Sequence, residues 1–157
     1  MSTHTAVESS HRSHGGERNA FARFAPSVAR VLMGLIFFVF GLNGFFHFLP
    51  QPPPPAPALA FATALVQSGY FFPLLKSVEV AVGILLLANR FVPLALAVIA
   101  PVVVNIFAFH AALAPSGLPV ALLVLALEIF LAWSYRQVYA PMLVAKAKPA
   151  GQEDRIG

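Results

Sequence analysis

The stretch FVPLALAVIAPVVVNIFAFHAAL, residues 91–113, contains no charged side chain. As an α-helix it would be about 35 Å long at 1.5 Å per residue, enough to cross the hydrocarbon core of a bilayer, which is about 30 Å thick. Apolar stretches of similar length occupy residues 31–49, 71–89 and 118–138. The sequence therefore predicts an all-α, polytopic membrane protein built as a bundle of four transmembrane helices.

Charged residues are nearly absent from the middle of this chain of 157 residues. Between residues 31 and 135, the charged residues are Lys76, Glu79, Arg90 and Glu128. A soluble domain has about 25% charged residues, and so few charges cannot cover a surface that faces water. The composition, which is 59% hydrophobic, excludes an ordinary water-soluble domain and excludes disorder for the middle of the chain.

The first connection between spans, from residue 50 to residue 70, divides into two parts. Residues 51–57, QPPPPAP, cannot be helical, because proline lacks an N–H and favours an extended polyproline form. Residues 58–67 have apolar side chains in a helical pattern but are too few to cross a bilayer. We therefore expect a short interfacial helix in this first outer loop.

Basic residues indicate the orientation of the chain. Of the ten Lys and Arg residues, all except Lys76 lie before residue 31, in the short loop at Arg90, or from residue 136 onward. Positive charge accumulates on the cytoplasmic side of a membrane, so both termini are predicted to be cytoplasmic. Residues 1–27 are then a disordered polar and basic tail, residues 28–140 the membrane domain, and residues 141–157 a basic tail.

The composition also excludes several classes of chemistry and of partner. The chain has no cysteine, so disulfides, thiolate metal sites, iron–sulfur clusters and dithiol redox chemistry are excluded. The formal net charge of +4 does not indicate a nucleic-acid partner, because the basic residues flank apolar spans. The partner that the sequence predicts is the lipid bilayer, and the oligomeric state stays open.

Polar and ionisable side chains within the spans are the candidate site residues, because such groups are costly in lipid and commonly face the interior of a bundle. They form the following set: Asn43, His47, Lys76, Glu79, Asn105, His110 and Glu128. Counted by helical rise from the outer end of each span, all of them fall in the outer half of the membrane. We expect a polar pocket between the helices that opens to the outside.

The spacing of these residues supports one shared site only in part. Lys76 and Glu79 are three apart and lie on one helix face, where they can neutralise each other. Asn105 and His110 are five apart, about 140° around a helix, and do not share a face. Glu128 has no charge partner in its own helix, which favours a functional role. Asparagine in a span also holds helices together through hydrogen bonds, and this role stays open for Asn105 and for the asparagine of the first span, Asn43.

Three segments resemble the DoxX family of small bacterial membrane proteins: RVLMGLIFFVFGLNGFF from Arg30, KSVEVAVGILLLANRFVPLAL from Lys76, and APVVVNIFAFH from Ala100. The resemblance covers about residues 28–140. It rests most on Gly34, Gly41, Glu79, Gly83, Asn105 and His110. It implies a four-helix membrane bundle in the bacterial inner (plasma) membrane, crossing several times with both termini inside.

Related DoxD proteins are subunits of a thiosulfate:quinone oxidoreductase, and some DoxX-like proteins associate with redox or oxidative-stress partners. The resemblance implies a subunit or accessory protein of a membrane redox system, with quinone as cofactor and a redox protein as partner. At most it is a quinone-linked oxidoreductase subunit, and no catalytic residue is assigned. Hydrogen bonds and a proton for a quinone headgroup could come from His47, His110 and Glu79.

Two other classes of function stay open. A proton or small-solute transporter would use the midplane carboxyl groups, and a non-catalytic interaction or assembly protein would use the polar pocket only to fix helix packing. A b-type haem or a metal ion held by His47 and His110 is a less favoured alternative.

Overall fold

The computed structural model describes residues 6–50 and 52–146, with side chains described from Arg23 onward. Every regular element in these ranges is helical, so the all-α prediction is confirmed. The long helices of the described chain are α1 (Ala6–Phe46), α2 (Ala56–Gln67), α3 (Phe71–Leu87), α4 (Val92–Ala112) and α5 (Leu118–Ser134). A short helix α6 (Arg136–Tyr139) and the 3-10 turns Pro115–Gly117 and Ala140–Leu143 lie at the loops.

The helices that are long and apolar enough to cross a membrane lie where the sequence predicts spans. Three of them, in the described part of the chain, are Arg23–Phe46, Val92–Ala112 and Pro115–Ser134. Helix α3 has 17 residues, about 25 Å of helix, and forms a fourth candidate with α2. Because α2 and α3 are bent by 93° relative to each other, α2 does not lengthen α3 along its axis.

Helix α1 begins much earlier than the sequence indicates. The predicted disordered tail covers residues 1–27, yet residues 6–27 belong to α1, and residues 1–5 lie outside the described part. No proline precedes Pro26 in this stretch, and a helix already formed by the apolar residues that follow extends more easily than a new helix forms. In the predicted C-terminal tail, residues 147–157 also lie outside the described residues.

Helix α1 packs along α3 through glycines. At Gly83 of α3 the backbone of Phe38 lies so close that an added Cβ would collide with it, and at Gly41 the same is true of Val80. Residue numbers rise along α1 as they fall along α3, so the two helices are antiparallel. Small residues let helix backbones approach closely, which favours packing in lipid, where no hydrophobic effect drives helices together.

Helices α1, α3, α4 and α5 share one apolar core. Helix α1 contacts α3 and α5, and α4 contacts the same two helices. The largest fully buried side chains come from all four helices: Met33, Leu86, Leu96, Ile99, Val103 and Leu131. Their outward faces are also apolar, since Leu35, Leu74, Leu94 and Ile129 are all exposed. A surface of this kind is suited to acyl chains rather than to water.

Arg30 joins α1 to the end of α3. Its guanidinium group donates hydrogen bonds to the carbonyl oxygens of Leu86 and Leu87. These carbonyls belong to the last turn of α3, and that of Leu86 also accepts a hydrogen bond of 3.2 Å from the N–H of Asn89 just beyond the helix. A positive charge suits the negative end of a helix dipole. Arg30 therefore has a structural role besides its contribution to the basic N-terminal region.

Replacement of Gly83 by alanine tests the close approach of α1 and α3. The added methyl group of Gly83→Ala would meet the backbone of Phe38, so the helices must separate, and we expect a loss of about 2 kcal/mol in the free energy of unfolding. The loss is measured by heating the protein in detergent and determining, by size-exclusion chromatography, the fraction that remains folded at each temperature. The control is Ala81→Leu on the exposed face of α3, and equal stability of the two variants would contradict the packing described here.

Candidate functional site

A cavity of about 670 Å³ lies between the helices, a volume typical of small-molecule sites. Its walls come from five helices: α1 contributes Phe37 and Phe40, α4 contributes Phe109, and α5 contributes Val120 and Val124. Helix α2 and the proline tract 52–55 cover one side of the cavity. The polar side chains in its wall are Lys76, Glu79, His110 and Ser116. The structure therefore brings three of the predicted site residues to one cavity.

Lys76 and Glu79 form an ion pair in the wall of the cavity. The Lys76 Nζ lies 3.0 Å from Oε1 and 2.8 Å from Oε2 of Glu79, so it donates to both carboxylate oxygens. The Glu79 side chain is 4% exposed and that of Lys76 18%. The spacing of three residues places both groups on one face of α3, as the sequence predicts, and each charge is compensated where water is scarce.

The position of Lys76 depends on Gly44 of α1. An added Cβ at residue 44 would meet the aliphatic chain of Lys76, so the glycine leaves the space through which this chain passes. The ammonium group also lies 5.7 Å from the centre of the Phe72 ring, within the range of a cation–π interaction. The lysine ammonium group thus contacts a carboxylate and an aromatic ring, and its aliphatic chain occupies the space that Gly44 leaves open.

His110 is oriented by the loop between α4 and α5. Its Nδ1 lies 3.1 Å from the carbonyl oxygen of Ala114. A carbonyl only accepts hydrogen bonds, so Nδ1 carries the proton in this contact, and in the neutral ring Nε2 is left as an acceptor. Gly117 packs against the ring and has no space for a side chain. The Phe109 ring meets the imidazole edge-on at 5.2 Å.

The cavity can accept a ligand that is mostly apolar and carries a few oxygen atoms. Lys76 supplies a donor, Glu79 an acceptor, and His110 either one, depending on its protonation. Aromatic rings from two helices line the cavity and are available for stacking, namely Phe37 and Phe40 of α1 and Phe109 of α4. Phe61 of α2 packs behind Phe109, with ring centres 5.7 Å apart. This combination of apolar walls with a few polar groups is the usual composition of a cofactor or small-molecule site.

Asn43 holds the end of α1 instead of facing the cavity. It is buried, and its side-chain Oδ1 accepts a hydrogen bond of 2.7 Å from the N–H of Leu49. The helix ends at Phe46, and His47 follows with a φ of 51°, the left-handed conformation that reverses the chain after a helix. His47 is exposed and does not line the cavity. A spacing of four would place Asn43 and His47 on one helix face, but the helix ends before His47.

Asn105 faces away from the cavity. It is exposed on α4, whereas Ile106, Phe109 and His110 of the same helix line the cavity wall. The prediction that Asn105 and His110 do not share a face is confirmed. Its consequence is that Asn105 does not belong to the polar pocket for which the sequence proposed it.

Glu128 lies at a different level from the other site residues. It comes ten positions after Leu118 and six before Ser134, the ends of α5, so it lies about 15 Å from the first end and about 9 Å from the second. This corrects the prediction that all the polar residues fall in the outer half, which assumed a span continuing to Val138. The side chain is 7% exposed, and its Oε2 has no hydrogen-bond partner among the described residues.

Glu128 does not line the cavity, but it lies one helical turn beyond the part of α5 that does. Val120 and Val124 line the cavity, and Glu128 follows at the same spacing of four, one turn beyond and on the same helix face. On its far side lies Tyr139, whose hydroxyl donates a hydrogen bond of 2.7 Å to the carbonyl oxygen of Pro93. Burial raises the pKa of the Tyr139 phenol, and the nearby Glu128 and Tyr135 raise it further.

The described residues contain no cluster of three or more His, Asp or Glu side chains placed to hold a metal ion. Of the two histidines considered as haem ligands, only His110 lines the cavity. The sequence also missed part of the wall, namely the proline tract and α2. The one feature of the sequence that could have indicated this wall is the small alanine near the start of α2. Ala58 is completely buried, so a larger side chain would not fit there.

No protein family model matches the chain, and neither a curated protein nor a solved structure does.

Neutralising each glutamate in turn tests the difference between the paired and the unpaired carboxyl group. Glu79→Gln leaves the Lys76 charge without its partner in a poorly hydrated site, and we expect a loss of about 3 kcal/mol in the free energy of unfolding. Glu128→Gln removes a carboxyl group whose Oε2 has no hydrogen-bond partner in the described ranges, so we expect a change within about 1 kcal/mol. Both are measured by unfolding in mixed detergent micelles.

The double variant Lys76→Met with Glu79→Leu is the control for this prediction. It removes both charges together and should recover most of the stability that Glu79→Gln loses, because no unpaired charge remains. A Glu79→Gln protein as stable as Glu128→Gln would show that the ion pair contributes nothing.

Tyr139 lies beyond the membrane-spanning part of α5. Because of this residue, we expect the free energy of unfolding to depend on pH in the alkaline range. Its pKa is raised from 10.0 in the folded protein, so the folded chain holds this proton more tightly than the unfolded chain does. Its contribution to stability is complete below pH 10 and is lost as the pH rises through the raised value. Tyr139→Phe removes the hydrogen bond to Pro93, and we expect its free energy of unfolding at neutral pH to be about 1 kcal/mol lower. In an absorbance titration of the tyrosines, the variant should lack the phenolate step at the highest pH.

Proposed function

We propose that this chain is an integral membrane protein of the DoxX type, a four-helix bundle with both termini in the cytoplasm of a bacterium. In this proposal the cavity binds a quinone headgroup, and the protein serves as a subunit or accessory protein of a membrane redox system. The observation that carries the proposal is the cavity itself, with an ion pair and an imidazole set among aromatic and aliphatic walls.

The polar groups of the cavity fit the needs of a quinone. Its carbonyl oxygens require hydrogen-bond donors, which Lys76 provides directly and His110 provides only with a second proton on Nε2, because its Nδ1 proton is used by Ala114. Reduction of the quinone requires protons as well as electrons. Glu79 holds the Lys76 ammonium group in place through two hydrogen bonds, so it acts as a positioning residue. The electrons would come from a redox protein partner, because the cysteine-free chain has no thiol chemistry of its own.

The arrangement in the membrane follows from charge and shape. Basic residues flank the apolar spans on the side assigned to the cytoplasm. Helix α2 turns by 93° from α3, the orientation expected for a helix that lies in the interface of the membrane while α3 crosses it. The proline tract and α2 then cover the cavity on its outer side, and an isoprenoid chain would leave between helices into the lipid.

A filled cavity should exclude the quinone. Ala62 of α2 lines the cavity, and Ala62→Trp would place an indole ring in the space of the headgroup. We expect the amount of quinone that copurifies, and the affinity for a short-chain ubiquinone analogue in equilibrium dialysis, to fall at least about tenfold, or 1.4 kcal/mol. Ala64→Trp, on the exposed face of the same helix, is the matched control and should retain the ligand.

If the wild-type protein in lipid nanodiscs neither carries nor binds quinone, or if the two tryptophan variants bind it equally, the quinone proposal fails. A folded protein without quinone would leave the assembly role, in which cavity variants lower protein abundance and change no separable activity.

One observation favours a second candidate, a path for protons. Glu128 lies one helical turn beyond the cavity on the same face of α5, without a hydrogen-bond partner for its Oε2 in the described chain. Together with Glu79 it would place two carboxyl groups in series across the membrane. Proton flux into proteoliposomes that Glu128→Gln abolishes while quinone binding is unchanged would select this function.

A further inference from the structure

Asn105 occupies an unusual position for a polar residue. It lies seven residues before Ala112, the end of α4, which is about 10 Å along the helix axis. Its side chain is exposed, and none of the hydrogen bonds of the described residues uses it. In the membrane proposed above, this face of α4 at this depth meets acyl chains, which have no group that can hydrogen-bond to an amide.

The face of α4 around Asn105 is uncharged and consists mostly of small side chains that project little from the helix. Its exposed residues recur every three or four positions: Leu94, Ala97, Val98, Pro101, Val104, Asn105, Ala108, Ala111 and Ala112. Alanine predominates in the half that contains Asn105. A second helix can therefore approach the α4 backbone closely, which is the condition for an interhelical hydrogen bond in lipid.

We propose that this face of α4 is the interface of a homodimer, in which the Asn105 amides of two copies hydrogen-bond to each other. An amide carries both a donor and an acceptor, so two copies related by a two-fold axis along the membrane normal can exchange a pair of hydrogen bonds. The symmetry brings both asparagines to the same depth. A different membrane protein would have to supply a matching polar group there, whereas a second copy supplies it by identity.

The dimer leaves the cavity accessible, because α4 uses opposite faces for the two roles. Ile106, Phe109 and His110 face the cavity, and Asn105 faces outward. The interface therefore rests on the proposed membrane insertion but not on the identity of the ligand. Quinone binding and dimerisation can be tested separately, and the failure of one does not decide the other.

Single-cysteine crosslinking is well suited to this test, since the natural chain contains no cysteine. Ala108→Cys lies on the same exposed face of α4, about one turn from Asn105, and keeps the amide. Oxidised in native membranes, it should yield disulfide-linked dimers, because sulfurs join only when the two Cα atoms come within about 7 Å. The control is Leu122→Cys, exposed on α5. Ala108 lies four residues before the end of α4 and Leu122 four residues after the start of α5, about 6 Å along the helix axis in both cases. Alkaline extraction of the same membranes checks that both variants are inserted.

A second measurement removes the amide without adding a sulfur. Asn105→Leu has a similar volume and should weaken dimerisation in detergent about tenfold, measured by energy transfer between labelled copies, whereas Asn105→Gln should retain most of it. The proposal is overturned if inserted Ala108→Cys crosslinks no more than Leu122→Cys, or if Asn105→Leu associates as strongly as the wild type.

Discussion

The contact between α1 and α3 at their glycines determines what the rest of the molecule can do. Backbone lies against backbone where Gly83 meets Phe38, and the same seam contains Gly44, over which the Lys76 chain passes. A larger side chain at residue 83 would separate the helices, and one at residue 44 would displace the aliphatic chain of the lysine. The ion pair itself follows from the spacing of Lys76 and Glu79 on α3, but its position against α1 depends on this close approach.

Sequence reasoning locates the helices well because length and the absence of charge are sufficient for it. The spans, the non-helical prolines 52–55 and the pairing of Lys76 with Glu79 depend only on spacing and composition. Residues 56 and 57, predicted to be non-helical with the rest of the tract, instead form the first turn of α2, where a proline is tolerated because its missing N–H would have no partner there. The rotation of each helix is harder to obtain. In α4 and α5 both faces are apolar, since lipid and core demand the same residues, so nothing in the pattern distinguishes the exposed Asn105 from the inward His110 except their separation of five.

The remaining errors come from where the helices end. Asn43 and His47 look like a pair on one face, but α1 stops at Phe46 and the asparagine is used to bind the returning chain. Glu128 looks central only if α5 continues to residue 138, and the helix ends at Ser134. Where a helix ends depends on local hydrogen bonds to its terminal backbone groups, and a hydropathy pattern contains little information about these bonds.

In the membrane arrangement proposed above, helix α3 would be short compared with its neighbours. Its 17 residues extend about 25 Å, roughly 5 Å less than a typical hydrocarbon core. Such hydrophobic mismatch is relieved by local thinning of the bilayer or by polar side chains that reach toward the interface. Beside α3 the lipid headgroups and their water would therefore lie closer to the midplane than elsewhere around the protein. Lys76, five residues into this helix, is thus nearer to interfacial water than its place in the sequence suggests.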